Sequence, residues 1–381
     1  MIKLYLFLIF SCTIFLSGIA VGYYEVFPFD LIQSIKYSLQ NNHEEGKNNI
    51  SIYEDDIDSL IKINSKNDIF DKRKNLINFI WKNSVPYSSS ISIDKNIKDD
   101  RYQNLSNLKS IDKLNIEMEY NVNSIVYLFL PENSNNELVI YHQGHAGDFI
   151  FGKDSIELLI NEGYSVLALS MPLFGMNNQP TIDLNDFGKL KFTSHKQLNF
   201  LESSNFSPIK FFVEPIGVSL NYLDNNFDFN SYHMLGMSGG GWTIVLFSAI
   251  DDRTSQNYSV AGSFPMFMRS DSKNIGDYEQ IIPELYTIAN YLELYIMGSF
   301  GPERKLILVY NEFDPCCFSG NTYEQLPFSG IIKNKIMSNK FEQISLKPGF
   351  MKHNGGILFR DISETEYEFK TIINENHLNA A

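Results

Sequence analysis

Ser238 stands in Gly236-Met237-Ser238-Gly239-Gly240, a G-x-S-x-G sequence. Small residues on both sides of a serine permit a sharp strand-to-helix turn that exposes the hydroxyl. The surroundings suit such a turn, because an apolar strand is expected at residues 232–237 and a helix at 242–250. A helix that starts beside the serine points its free N–H groups and positive dipole end at the site, which favours developing negative charge. The competing reading is a glycine-rich close-packing turn with no chemistry. A serine nucleophile also needs a base. Of the seven histidines, His43 and His377 lie towards the two ends, His233 lies within a strand, and His195 lies in a polar connection. His142 and His145 share an earlier strand–helix loop, which leaves His353, in Lys352-His353-Asn354-Gly355-Gly356, as the candidate base. The orienting carboxylate is expected in Asn311-Glu312-Phe313-Asp314-Pro315, after the apolar strand 305–310. Asp314 is preferred because the following proline fixes a turn at the strand end, with Glu312 as the fallback acid. The resulting order is serine, acid, histidine.

The elements that must position these residues read as strands alternating with helices. A hairpin is expected at residues 116–120 and 124–130, followed by apolar strands at 138–141, 165–169, 232–237, 260–264, 305–310 and 342–346. Near-continuous apolar strands separated by helices predict a mostly parallel sheet covered on both faces, and the opening hairpin makes it mixed. Upstream, helical patterns occur at 29–40 and 68–82, while 87–108 is rich in Ser, Asp, Lys and Asn and reads as loop.

The chain of 381 residues carries Lys+Arg 31 against Asp+Glu 45, a net charge of -14, without a basic block. That argues against a nucleic-acid partner and against a patch for anionic membranes. Three cysteines cannot build a disulfide scaffold, no Cys-x-x-Cys pair points to zinc, and neither a metal nor a cofactor is expected. Cys316-Cys317, beside the candidate acid, are either two packed thiols or a strained vicinal disulfide. Residues 4–24 form an uncharged run behind Lys3. At about 1.5 Å per residue this run is long enough to cross a hydrocarbon core about 30 Å thick. Its flank predicts export to a periplasmic or other extracytoplasmic location, with residues 4–24 either a removable signal peptide or a transmembrane anchor. The expected organisation is therefore 1–24 as address, 25–110 as a helical and loop extension, and 111–381 as the catalytic domain.

From about residue 115 to 379 the chain resembles the α/β-hydrolase superfamily. The resemblance is carried by Tyr141-His142-Gln143-Gly144-His145, the segment 167–175, the turn at Ser238, Asp314-Pro315 and His353. It implies an eight-stranded, mostly parallel sheet, a Ser238–Asp314–His353 triad and hydrolysis of an ester or amide through an acyl-enzyme. It also implies an oxyanion hole from the backbone N–H of Gly239 and a second donor in the earlier loop. His145 is favoured for that donor, with Gln143 as runner-up, because Gln143 interrupts the usual His-Gly pair. Helical insertions near 176–230 and 277–300 could form lids, and Tyr278, Tyr286, Tyr291 and Tyr295 in the second could stack on sugars or aromatic acyl groups or simply pack on the domain. The favoured function is an exported serine hydrolase acting on a small-molecule or carbohydrate-linked ester, attached to the membrane if the leader is uncleaved. A serine peptidase on the same fold and a catalytically silent, membrane-tethered binding module are the alternatives.

Overall fold

The computed structural model describes residues 57–311, except 83, 270–274 and 303, together with the strand at 341–346. The run at 4–24, the helix expected at 29–40, Glu312, Asp314, Cys316, Cys317 and His353 lie outside the described residues. Among the described residues, no helix is long and apolar enough to cross a membrane.

Three antiparallel strands open a single mixed sheet: β1 (Ser90–Asp94), β2 (Leu108–Glu117) and β3 (Asn123–Pro131). β3 pairs antiparallel with β5 (Ser165–Leu169), which pairs parallel with β4 (Glu137–His142). From β4 the sheet continues in parallel through β8 (Ser231–Met237), β9 (Thr254–Val260), β10 (Lys305–Asn311) and β11 (Phe341–Leu346). A separate hairpin joins β6 (Thr181–Leu184) to β7 (Gly188–Lys191). Among the described residues the large sheet has nine strands, in the order β1-β2-β3-β5-β4-β8-β9-β10-β11.

The strand beyond the expected eight is β1, which falls within the tract 87–108 read above as loop. Its sequence Ser90-Ile91-Ser92-Ile93-Asp94 half-buries the two isoleucines and exposes the residues between them. Two apolar positions suffice for an edge strand with one solvated face, but they are too few to stand out from a polar neighbourhood. β9 is also displaced from its expected position at 260–264. Its residues Thr254, Asn257 and Ser259 are polar yet buried, so an apolar run does not mark this strand.

Alternation along the parallel strands divides the core between the two faces of the sheet. Leu138, Ile140, Leu167, Leu169, Met234, Leu306 and Leu308 join one cluster. That cluster also contains residues of α2 (Lys66–Trp81), α5 (Lys210–Asn226), α6 (Gly239–Ile250) and α9 (Tyr291–Ser299). Val139, Tyr141, Val166, Leu235, Met237, Ile307 and Val309 face the other way, against α3 (Lys153–Asn161). Four short helices complete the described set: α1 (Ile57–Leu60), α4 (His195–Leu198) and the pair α7 (Tyr278–Ile281) and α8 (Pro283–Ile288) that precedes α9.

The segment 277–300, expected as one amphipathic helix, is thus broken into three. Pro283 opens α8, and Asn290 caps α9 by accepting from the Glu293 N–H. Its tyrosines pack inward. Tyr291 and Tyr295 are buried, Tyr286 stacks on Tyr291 with centroids 4.6 Å apart, and the Tyr286 hydroxyl accepts from Trp242 Nε1 at 2.8 Å. In the other proposed insertion, α5 is a largely buried helix packed on α6, not a surface lid.

The N-terminal helix α2 begins in a capping box, with Ser65 and Asp68 each bonded to the other's backbone N–H. It reaches the domain through a buried carboxylate. Glu214, on α5, accepts from Trp81 Nε1 at 2.6 Å and from the N–H groups of Tyr87 and Ser89, both at 2.9 Å. Removing that acceptor leaves three donors unsatisfied inside the protein. Glu214→Ala is therefore expected to lower unfolding free energy by about 2–4 kcal/mol in a denaturant titration, with Glu214→Gln intermediate because it keeps one acceptor oxygen.

Candidate active site

β8 ends at Met237, and α6 starts at Gly239, so Ser238 alone makes the turn between them. Its backbone sits at φ 51° and ψ −123°, a conformation that L-residues seldom adopt. Neighbouring strands and the helix hold it there. The Ser238 N–H donates to Val260 O at 2.8 Å, and its carbonyl accepts from Trp242 N at 3.2 Å. Close approach of two loops requires glycine at two points: a Cβ on Gly240 would lie 2.2 Å from His142 O, and one on Gly144 would lie 2.7 Å from Ser238 Cβ. The turn therefore lies at the carboxyl end of a central parallel strand, at the start of a helix, against the loop that leaves β4.

The chain folds as a mostly parallel α/β sheet with a strand–Ser238–helix turn at its centre. No protein-family model matches it, and no curated protein does. Among solved structures, the Pyrococcus furiosus esterase Pf2001 superposes with a TM-score of 0.49 at 15% identity, over 74% of this chain and 96% of that one. An acetyl xylan esterase from Paenibacillus sp. R4 gives a TM-score of 0.49 at 14% identity, over 84% of this chain and 98% of the other. Methylesterase BT1017 gives 0.48 at 15% identity, covering 89% of this chain and 67% of its own.

Gly239 occupies the first position of α6, where an N–H has no carbonyl partner one turn earlier. The loop after β4 brings His145 to the same place, since a Cβ on Gly239 would lie 2.4 Å from His145 Cε1. Gln143, the alternative donor, uses its N–H on Leu169 O at 2.9 Å. His142 is buried and bonds through Nδ1 with Gln143 O, and burial pushes its pKa down to about 4, so the ring is neutral at pH 7.

The sequence reading missed the surroundings of the His145 ring. His195, placed there in a polar connection, is buried at the start of α4, whose N-cap is Ser194. Its Nδ1 lies 3.0 Å from His145 Nε2. Asp277 and Glu279 approach the same two rings, at 3.3 Å and 3.0 Å from His145 Nε2 and, for Glu279, 3.2 Å from His195 Nδ1. Burial opposes charge on His145, but Glu279 and Asp277 outweigh it and raise the pKa. Burial likewise opposes ionisation of Glu279, but His195 and His145 hold its carboxyl well below the usual range. Arg269 secures the segment that carries both carboxylates, donating to Phe264 O, Ile275 O and Gln280 Oε1. No local spacing marks this group, because its members come from three separated stretches of chain.

Of the residues singled out in the sequence, the structure brings Ser238, Gly239 and His145 together. Asp314, Glu312 and His353 fall outside the described residues. The strained turn yields a stability test that needs no substrate. Ser238→Ala and Ser238→Gly both remove the hydroxyl, but only alanine keeps a Cβ in the unfavourable conformation. The glycine variant is expected to be the more stable of the two by about 1 kcal/mol at equal denaturant. Equal midpoints would show that the turn is unstrained.

Proposed function

We propose that this protein is a serine hydrolase that cleaves a carboxylic ester through an acyl-enzyme. The observation that carries the reading is Ser238 at the strained turn between β8 and α6. Ser238 attacks the ester carbonyl while His353 takes its proton, and Asp314 orients the imidazole and stabilises its charged form. The oxyanion is received by the backbone N–H groups of Gly239 and His145, next to the positive end of the α6 dipole. The departing alcohol recovers the proton from His353, and water then repeats the sequence on the acyl-enzyme. The proposed substrates are small-molecule or carbohydrate-linked esters. The uncharged run at 4–24 supports export, with that segment either removed or kept as an anchor.

The test is labelling of the protein from residue 25 onward by a fluorophosphonate probe, which needs an activated serine and no knowledge of the substrate. Labelling is expected for the wild type and absent from Ser238→Ala. His353→Ala should lose nearly all turnover of an activated ester, and Asp314→Asn should keep a small remainder. An Asp314→Asn variant as active as the wild type would move the acid role to Glu312. Absence of labelling in a folded wild type would overturn the hydrolase reading in favour of a silent binding module.

A further inference from the structure

Four potential ligand atoms converge beside the elbow: His145 Nε2, His195 Nδ1, an Asp277 carboxylate oxygen and a Glu279 carboxylate oxygen, all within 4.8 Å of one another. The protonation of His195 can be read from its other nitrogen. Nε2 lies 2.9 Å from Pro172 O, a group that only accepts, so Nε2 carries the hydrogen and neutral His195 presents a bare lone pair at Nδ1. That lone pair faces His145 Nε2 at 3.0 Å and Glu279 Oε2 at 3.2 Å. Glu279 is fully buried, and although each of its oxygens is close to a ring nitrogen, neither receives a directed hydrogen bond. A buried carboxylate without donors is costly, and one that faces another lone pair is more so.

A cation at the point of convergence removes the conflict. Zinc bonds to imidazole nitrogen and carboxylate oxygen are about 2.0–2.2 Å long, which in a tetrahedron places neighbouring ligand atoms about 3.3 Å apart. Four separations around these rings, 3.0, 3.0, 3.2 and 3.3 Å, are close to that spacing, with Glu279 offering a different oxygen to each imidazole, and one atom from each of the four residues fits within 4.8 Å of the others, so a small closing movement brings the set around one ion. The Pro172 carbonyl on the far side of His195 is the outer partner that metal-bound imidazoles commonly have. We propose that His145, His195, Asp277 and Glu279 bind one zinc ion. The ion joins the loop after β4, α4 and the segment entering α7, and it fixes the His145 ring against Gly239 beside the nucleophile elbow. Its role is positional, and the site stands whether or not Ser238 acts as a nucleophile.

The test uses the full chain, stripped with a chelator and titrated with Zn2+ by calorimetry, with Co2+ as a spectroscopic substitute. One Zn2+ per chain is expected, with a rise in Tm and tetrahedral d–d absorption from the Co2+ form. Glu279→Gln and His195→Ala should each weaken Zn2+ binding at least about 100-fold. Because both residues are buried, Asp277→Asn at the partly exposed rim is the companion variant. It should retain wild-type circular dichroism while losing affinity and the Co2+ spectrum. A wild type that takes up no Zn2+, or an Asp277→Asn variant that binds it as the wild type does, would overturn the proposal. Both readouts are independent of fluorophosphonate labelling, so failure here and failure of the hydrolase reading remain distinguishable.

Discussion

A serine at φ 51° and ψ −123° stays there only if every alternative is blocked, and most of the described architecture can be derived from that requirement. Such backbone costs on the order of 1–3 kcal/mol, comparable to a few hydrogen bonds. The Val260 carbonyl on β9 fixes the serine N–H, α6 fixes its carbonyl, and the loop after β4 presses on Gly240 from the side. Three neighbouring parallel strands must therefore be in register before the turn can form. The helix is held in turn at its far end. Buried Arg304 donates to Ser248 O at 2.6 Å and Asp251 O at 3.1 Å, where a cation meets the negative end of the α6 dipole. Strain at one residue is thus supported by packing along the whole helix.

The parts legible in the sequence are those where hydrophobic period and local chemistry agree. The strand Ser165–Leu169 is apolar, buried at every position and bounded as read. The elbow was legible because glycines at 236, 239 and 240 surround a serine between a strand and a helix. The misplaced elements share one cause: polar residues were taken to mark the surface. In β9 buried Asn257 reaches Lys305 O on the neighbouring strand, so an apparent loop composition belongs to a central strand. In α9 the tyrosines satisfy their hydroxyls internally, with Tyr295 bonding to Ser263 at 2.9 Å. A stripe of aromatic tips resembled a binding face only because such pairings are non-local and invisible to periodicity.

The same limit applies to the site. Ser238, Gly239 and His145 can be singled out from the sequence because the resemblance ties each to a local motif. His195, Asp277 and Glu279 carry none, and tertiary contact alone brings them to His145. His195 followed a polar stretch in sequence, yet it packs edge-on against Phe174 and Phe212, rings that no short-range pattern assigns to it.

Comparison among three buried glutamates separates structural attachment from ligand geometry. Glu214 receives three N–H groups and ties the α2 region to α5. Glu293 receives the N–H groups of Lys62 and Asn290 and pairs with Lys72 at 3.0 Å. Each is a carboxylate surrounded by donors, which is how a folded chain keeps a charge inside. Glu279 is as deeply buried, but its neighbours are two imidazoles and a second carboxylate, all of which can offer lone pairs. Protein N–H groups satisfy the first two, whereas the third has only the two imidazoles beside it and receives no directed hydrogen bond from them. Arg269 holds the segment that carries Glu279 through four hydrogen bonds, to Phe264 O, Ile275 O and Gln280 Oε1. The charge must be supplied at the point where the lone pairs meet, either by a second proton on an imidazole or by a metal ion, and only the ion uses all four groups at once.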